Sequence, residues 1–326
     1  MIDAEVRRAV DVLARGGLIG LPTETVYGLA VDASNAAAVA RMFAAKGRPA
    51  DHPVIVHLAR ADEIDDWAID VQPSARRLAA AFWPGPLTLI VKRAPHVLDA
   101  VTGGQDTVGL RVPSHPVAHA VLAAFARARA PRPAGVAAPS ANRFGRVSPT
   151  TAAHVRAEFD LAIDLVLDGG QSAVGIESTI VDCSGPAIRI LRPGGITRER
   201  VATVLGADAL AAVRAAAAPR VSGSLDAHYA PVTRTHLVDS DDLGAWLAKA
   251  AGRRVALLSC DLPTVPVAVH VRASRDPQVY AHDLYAALRQ LDGAGCDVIV
   301  VEQPPAQGDW EGVSDRLRRA AFGSGV

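Results

Sequence analysis

Two hydroxyl side chains stand where an apolar run has just ended. Leu18-Ile19-Gly20-Leu21 reads as a short buried strand; Pro22 stops it by removing an amide donor and fixing φ, and Thr23-Glu24-Thr25-Val26-Tyr27 follows as loop. Open α/β sheets hold ligands in the crevice beyond their strand ends, so this stretch reads either as a binding loop or as a capped turn. Further on, Lys46-Gly47-Arg48 follows a helical stretch. Lys46, Lys92 and Lys249 are the only lysines among 34 basic residues, so a lysine here stands out. An ammonium meets phosphate as a point charge, and a planar guanidinium two residues later grips oxygens in pairs. A helix end decorated with cations is the other reading. His57 ends a second apolar run, 53–57, as a ligand-facing imidazole or a satisfied core histidine.

Later segments carry more polar groups at turns. Val108-Gly109-Leu110-Arg111 reads as a strand ending in an arginine, whose fork suits an amino-acid carboxylate. Ser140, Asn142 and Ser148 share one loop shaped by Gly145 and Pro149. Their hydroxyls and the loop amides suit phosphate oxygens, and Ser148 also reads as the cap of a helix opening at Pro149; both can hold, because a helix N-terminus is itself an anion site. Arg192 precedes Pro193-Gly194 at another strand end, as a phosphate ligand or a surface arginine. No Gly-x-x-x-x-Gly-Lys-Ser/Thr loop, Ser-His-Asp or Cys-His arrangement, or metal-ligand spacing occurs.

Short strands and helices must position these groups. The pattern predicts helices over 3–15, 35–45, 74–81, 116–127, 151–158 and 197–204. It predicts strands over 18–21, 53–58, 87–91, 108–112, 135–138, 164–167, 179–182 and 187–191. Such alternation argues an α/β domain with a twisted sheet. Composition changes after Gly206 to alanine and then to a polar, turn-rich stretch, giving a first domain over 1–206, a linker over 207–234 and a smaller α/β domain over 235–326. In that last unit 255–259 and 298–301 read as strands, 241–251, 279–291 and 313–322 as helices, and nothing reads as chemistry. With 326 residues, half of them hydrophobic, two cores are expected. No signal segment and no stretch of ~20 apolar residues is seen, which predicts a cytoplasmic protein without a membrane span. Cys183, Cys260 and Cys296 are too scattered for a zinc or redox site. Net charge is zero, against a general polyanion binder, yet residues 107–157 hold seven arginines and no acid.

In chain order, Pro22-Thr23-Glu24-Thr25-Val26-Tyr27-Gly28, Lys46-Gly47-Arg48-Pro49, Ala138-Pro139-Ser140-Ala141-Asn142, Ser148-Pro149-Thr150, Gly175-Ile176-Glu177-Ser178 and Arg192-Pro193-Gly194 resemble the motifs of the YrdC-like family. His228-Tyr229-Ala230-Pro231 looks like the linker of its longer form, the two-domain threonylcarbamoyl-AMP synthases. The resemblance implies a YrdC-like twisted, open, mixed sheet with helices around a basic cavity, followed by a smaller Rossmann-like α/β domain. It implies ATP contacts at Lys46, Arg48, His52, Thr107, Ser140, Asn142, Ser148, Arg192 and Tyr229, with Lys46 and Arg48 serving catalysis at the phosphates. It implies L-threonine contacts at Thr23, Thr25, Tyr27, His57, Arg111, Ala138 and Ser178. Mg²⁺ would accompany ATP, with Glu177 the nearest acid. His52 departs from the asparagine common before the proline of this strand, and an imidazole there would make nucleotide affinity depend on pH near ~6.5.

The implied reaction takes L-threonine, bicarbonate and ATP to threonylcarbamoyl-AMP and pyrophosphate, and the product serves the modification of adenosine 37 of tRNA through a separate threonylcarbamoyl transferase. The linker would lie over the cleft, with Tyr229 covering ATP or acting as a packing anchor. Two other classes share the fold: a non-catalytic binder of structured RNA, and the hydrogenase-maturation carbamoyltransferases, whose zinc fingers need more than three cysteines.

Overall fold

The computed structural model describes residues 2–159, 162–206, 209–210, 218–223 and 225–325. Its first domain runs α1 (Ile2–Ala14), β1 (Ile19–Leu21), β2 (Gly28–Asp32), α2 (Ala36–Lys46), β3 (Ile55–His57), α3 (Ile64–Trp67), α4 (Pro73–Phe82), β4 (Leu87–Lys92) and α5 (Asp99–Thr102). It continues through β5 (Thr107–Arg111), α6 (Pro116–Arg129), β6 (Val136–Ala137), α7 (Ala152–Phe159), β7 (Leu165–Val166), β8 (Thr179–Asp182), β9 (Arg189–Arg192) and α8 (Arg198–Leu205). The strands form one sheet in the order β7-β1-β2-β6-β3-β5-β4-β8-β9, with parallel pairs β1/β7, β3/β5 and β4/β8 among antiparallel ones. It is a mixed sheet, as the resemblance implied.

Successive residues of a strand face opposite sides, and that alternation assigns the layers. Leu29 and Val31 of β2 join Val39, Met42 and Phe43 of α2 on one face, whereas Ala30 joins Ile19 and Leu21 under α1 and α6 on the other. β2 itself is not among the expected strands. Only residues 22–27 are loop; the antiparallel register Leu21↔Gly28 closes them into a hairpin. A short strand buried on both faces shows no polar alternation to reveal it. Asn35 caps α2, its Oδ1 accepting from Ala38 N at 3.1 Å, and Gly47 ends it at φ 62°. That left-handed residue turns the chain sharply between Lys46 and Arg48.

The second domain comprises β10 (Thr235–Val238), α9 (Ser240–Lys249), β11 (Val255–Ser259), β12 (Val269–Arg272), α10 (Pro277–Asp292), β13 (Val298–Glu302) and α11 (Glu311–Gly323). Its strands are all parallel, in the order β10-β13-β11-β12. The two expected strands are the central ones. Edge strands β10 and β12, Thr-His-Leu-Val and Val-His-Val-Arg, carry too little apolar character to be read from sequence. Of the expected linker, residues 207–208, 211–217 and 224 lie outside the described residues. One core is shared between the domains: Leu284 and Tyr285 of α10 and Val313 and Leu317 of α11 pack with Val26, Ile176 and Tyr229. Among the described residues no helix is long and apolar enough to cross a membrane.

Candidate active site

Strand register brings the first pair of candidate residues together. β3 and β5 run parallel with His57 opposite Arg111, and both side chains are buried. Arg111 Nε donates to Gly85 O at 3.2 Å, Nη1 donates to Thr25 Oγ1 at 2.8 Å, and Nη2 lies 2.8 Å from Glu24 Oε1. Burial works against the Glu24 charge, but Arg111 beside it holds the carboxyl below its ordinary range. Burial and then the Arg111 charge push His57 down to about 3, so its imidazole is neutral; its Nδ1 has no hydrogen-bond partner among the described residues. Thr23 Oγ1 donates to Val26 O at 2.6 Å and lies 2.9 Å from Thr25 Oγ1. Ser178 Oγ, at the head of β8, is 2.8 Å from Thr88 Oγ1.

A second pair of cations faces this wall. Arg192 ends β9; its Nε and Nη2 donate to Ser178 O at 3.1 and 2.9 Å, and its Nη1 to Ser222 O at 2.8 Å. Arg48 Nη2 donates to Pro53 O and to Ser222 Oγ, both at 3.0 Å. One linker residue, Ser222, therefore meets both guanidiniums. Burial pushes Arg48 down to about 10, which leaves it charged at neutral pH. Like charges gathered in a buried cleft call for an anion between them. Tyr229 closes the cleft at φ 61°, with its ring stacked on Tyr285 at 5.8 Å and under Arg316 at 5.2 Å. Its hydroxyl has no hydrogen-bond partner among the described residues. Gly223 leaves room for that hydroxyl, since a Cβ there would stand 2.1 Å from it.

Glu177 is fully engaged. Ser148 Oγ donates to Oε1 at 2.6 Å, and Tyr285 Oη and Arg316 Nε donate to Oε2 at 2.9 and 2.8 Å. Burial opposes its charge, while Arg316 and then Arg192 hold its pKa below the ordinary carboxylate value. Among the described residues no three His, Cys, Asp or Glu side chains gather into a metal site. These donors make a poor resident Mg²⁺ site: Glu24 pairs Oε1 with Arg111 and leaves one oxygen, Oε2, without a partner among the described residues, and both oxygens of Glu177, the acid expected to help, accept hydrogen bonds. A Mg²⁺ arriving with ATP would rest on phosphate oxygens and water.

The expected residues Thr23, Thr25, Arg48, His57, Arg111, Ala138, Ser140, Ser178, Arg192 and Tyr229 line this one cleft. Six others stand off its wall. Tyr27 pins the neighbouring turn, Oη donating to Gly170 O at 2.8 Å and accepting from Gly169 N at 3.0 Å. Lys46 Nζ donates to Ser140 O and Asn142 O, both at 2.5 Å, so it shapes the loop that presents Ser140; burial lowers its pKa well below the usual lysine value. Asn142 Nδ2 braces Arg143 O and Arg146 O, and Ser148 holds Glu177. Thr107 lines a small adjoining cavity that shares Ile55 and Ser222 with the cleft. His52 packs edge-on against Phe144 at 5.4 Å; burial and then Arg48 lower its pKa, which moves the expected titration below ~6.5. Sequence reasoning missed Glu24, Ser222, His228, Tyr285 and Arg316. Glu24 sits inside the Pro-Thr-Glu-Thr motif, but nothing local marks Arg316 among the arginines of α11.

A mixed sheet with an arginine-rich cleft at its strand ends, roofed by a linker and a parallel α/β domain, defines a two-domain α/β protein with a buried small-molecule site. Residues 11–194 match the Sua5/YciO/YrdC family model, described as telomere recombination, and residues 196–322 match the model described as threonylcarbamoyl-AMP synthase, C-terminal domain. The threonylcarbamoyl-AMP synthase of Pyrococcus abyssi is 35% identical over 332 residues, covering 97% of this chain and 94% of the relative. That of Bacillus subtilis is 36% identical over 341 residues, covering 98% and 94%. A solved structure, P. abyssi Sua5 complexed with L-threonine, superposes with a TM-score of 0.88 at 33% identity over 98% of this chain and 94% of the other. The chain belongs to the YrdC-like family of threonylcarbamoyl-AMP synthases, in its two-domain form.

Proposed function

We propose that the protein is an L-threonylcarbamoyladenylate synthase, a nucleotidyltransferase that makes threonylcarbamoyl-AMP and pyrophosphate from L-threonine, bicarbonate and ATP for N6-threonylcarbamoyladenosine at tRNA position 37. The observation that carries this reading is the meeting, in one buried cleft, of Arg111 with hydroxyls and a neutral imidazole on one wall and the Arg48 and Arg192 pair on the other. The relatives' name and the neighbour's bound L-threonine support it. Threonine's carboxylate takes the N–H groups of Arg111 that Gly85, Thr25 and Glu24 leave over, and its hydroxyl or amine meets the unpartnered nitrogen of His57. The amine and bicarbonate give a carbamate and water. A carbamate oxygen then attacks the α-phosphorus of ATP, the bond from that phosphorus to the α–β bridging oxygen breaks, and pyrophosphate leaves with the electron pair.

The attacking group is already an anion, so no protein nucleophile is required. The chain's part is to align reactants and to stabilise charge on phosphate oxygens. Arg48 and Arg192 do this once ATP replaces the Ser222 oxygens on their guanidiniums, and Ser140, held out by Lys46, adds a hydroxyl. Pyrophosphate release from ATP, with threonine and bicarbonate each omitted in turn, tests the reading. Release that needs both supports it. Equal release with serine, glycine or no amino acid removes the substrate, and tight tRNA binding without turnover favours a structured-RNA binder instead.

A further inference from the structure

The reaction as written gives the second domain no part, yet two of its side chains reach the wall of the cleft. Arg316 on α11 is completely buried; Nε donates to Glu177 Oε2 at 2.8 Å, Nη2 to Pro193 O at 3.0 Å and Nη1 to Asp315 Oδ2 at 2.7 Å. Tyr285 on α10 donates its hydroxyl to the same Glu177 oxygen at 2.9 Å. The other Glu177 oxygen fixes Ser148, and the next residue, Ser178, gives its carbonyl to Arg192. Glycines permit the approach. A Cβ at Gly175, which has φ +81°, would stand 2.3 Å from Ala281 O on α10. One at Gly312 would stand 3.0 Å from Ile176 Cδ1 and 3.2 Å from Gly194 Cα. Gly312 and Arg316 are four residues apart and share one face of α11, so the helix that lies flush on the Gly194 turn delivers Arg316 to Glu177. A buried carboxylate that loses its cation is strongly destabilised, so Glu177 keeps its place only while Arg316 does.

We propose that Arg316 and Tyr285 are positioning residues: from the second domain they fix Glu177, and with it Ser148, Ser178 and Arg192, so that the cleft reaches working geometry only when the domains are docked. The turnover arm of the test rests on the synthase reading; the exchange arm does not. Full-length Arg316→Met, Tyr285→Phe and the double variant Arg316→Met with Glu177→Gln are compared by pyrophosphate release at about pH 8 and about pH 6. Hydrogen exchange of the amides of 175–179 and 192–195 is followed alongside.

At about pH 8 Arg316→Met should lose roughly tenfold or more in kcat, because Glu177 is left charged and unpaired. The gap should narrow at about pH 6, where the stranded carboxyl takes up a proton, and Glu177→Gln should relieve it at both values. Of the other groups around Glu177, Arg192 stays charged, Tyr229 and Tyr285 stay neutral, Asp315 remains paired with Arg319, and His228, held down at about 3, does not titrate in this window. Exchange in 175–179 should quicken in Arg316→Met and recover in the double variant, with a smaller change in Tyr285→Phe. Unchanged exchange and turnover in Tyr285→Phe and Arg316→Met, or an Arg316→Met defect equal at both pH values and untouched by Glu177→Gln, overturns the proposal. Should Arg316→Met fail to fold, exchange in Tyr285→Phe decides alone. If the wild type releases no pyrophosphate, the synthase reading falls and the exchange arm still decides the positioning role.

Discussion

Acidification should destabilise the protein through two buried histidines, His57 in the first domain and His228 in the linker. Burial, the leading cause for each, pushes His57 and His228 down to about 3, against about 6.5 in an unfolded chain. A base whose folded pKa is depressed binds more protons when unfolded across the interval between the two values. Stability is therefore present above about pH 6.5 and is lost as pH falls toward 3. Each histidine contributes RT ln[(1+10^(6.5−pH))/(1+10^(3−pH))] to the loss, about 2 kcal/mol between pH 7 and pH 5, and the pair about 4 kcal/mol. Glu24 and Glu177, both with lowered pKa, stay ionised throughout and contribute no loss until pH falls below about 4.5. His154, pushed down to about 4 but only half buried, adds less because water screens it. Urea unfolding at pH 7 and pH 5 measures the effect, with Trp67 and Trp83, both in the first domain's core, as fluorescent reporters. His57→Gln and His228→Asn should each remove about half of the pH-dependent loss. Identical losses in the wild type and both variants would show that the imidazoles are not held neutral by burial, and the reasoning would fail.

Two further outcomes follow from the opposed walls of the cleft, and one from its roof. Arg111→Ala should weaken L-threonine by ~1.5–3 kcal/mol, the range for a charged hydrogen bond, with a much smaller effect on ATP; calorimetry showing unchanged threonine affinity would place the carboxylate elsewhere. Arg192→Ala should do the converse and weaken ATP far more than threonine, although the bonds it gives Ser178 make some threonine loss expected; equal losses of both ligands would point to general disorder of the cleft. Tyr229→Ala should lower product formed per ATP consumed, because a carbamate and its mixed anhydride with AMP survive only where water is excluded. An unchanged ratio of product to ATP would leave Tyr229 as the domain anchor that its stacking on Tyr285 already makes it.

The site was legible in sequence as far as it depends on where strands stop. Pro22, Gly47 and Pro193-Gly194 end their elements by local steric rules, and residues at such ends fall at the sheet's crevice whatever the partners turn out to be. Together with the family resemblance, that made Thr25, Arg48, His57, Arg111, Ser178 and Arg192 candidates, and the structure lines one cleft with all six. Lys46 shows the limit: its type and position suit a phosphate, but the fold sets two backbone carbonyls within its reach, and a buried ammonium must take them.

Periodicity, turn chemistry and motif order are properties of neighbours in the chain, and from them the sequence by itself determined the α/β class, the presence of two domains and the residues at the strand ends. Only the tertiary structure decided which polar groups the arginines meet. Arg111 reaches Thr25 across 86 residues, Arg48 reaches Ser222 across 174, and Arg316 reaches Glu177 across 139. No local pattern encodes such pairings, because an arginine in water looks the same whichever carboxylate it will meet. Burial makes the choice: once the two sheets and the shared core exclude water, a buried charge needs hydrogen-bond partners within reach, and for Glu177 the packing of α10 and α11 against Gly175 and Gly194 fixes which these are.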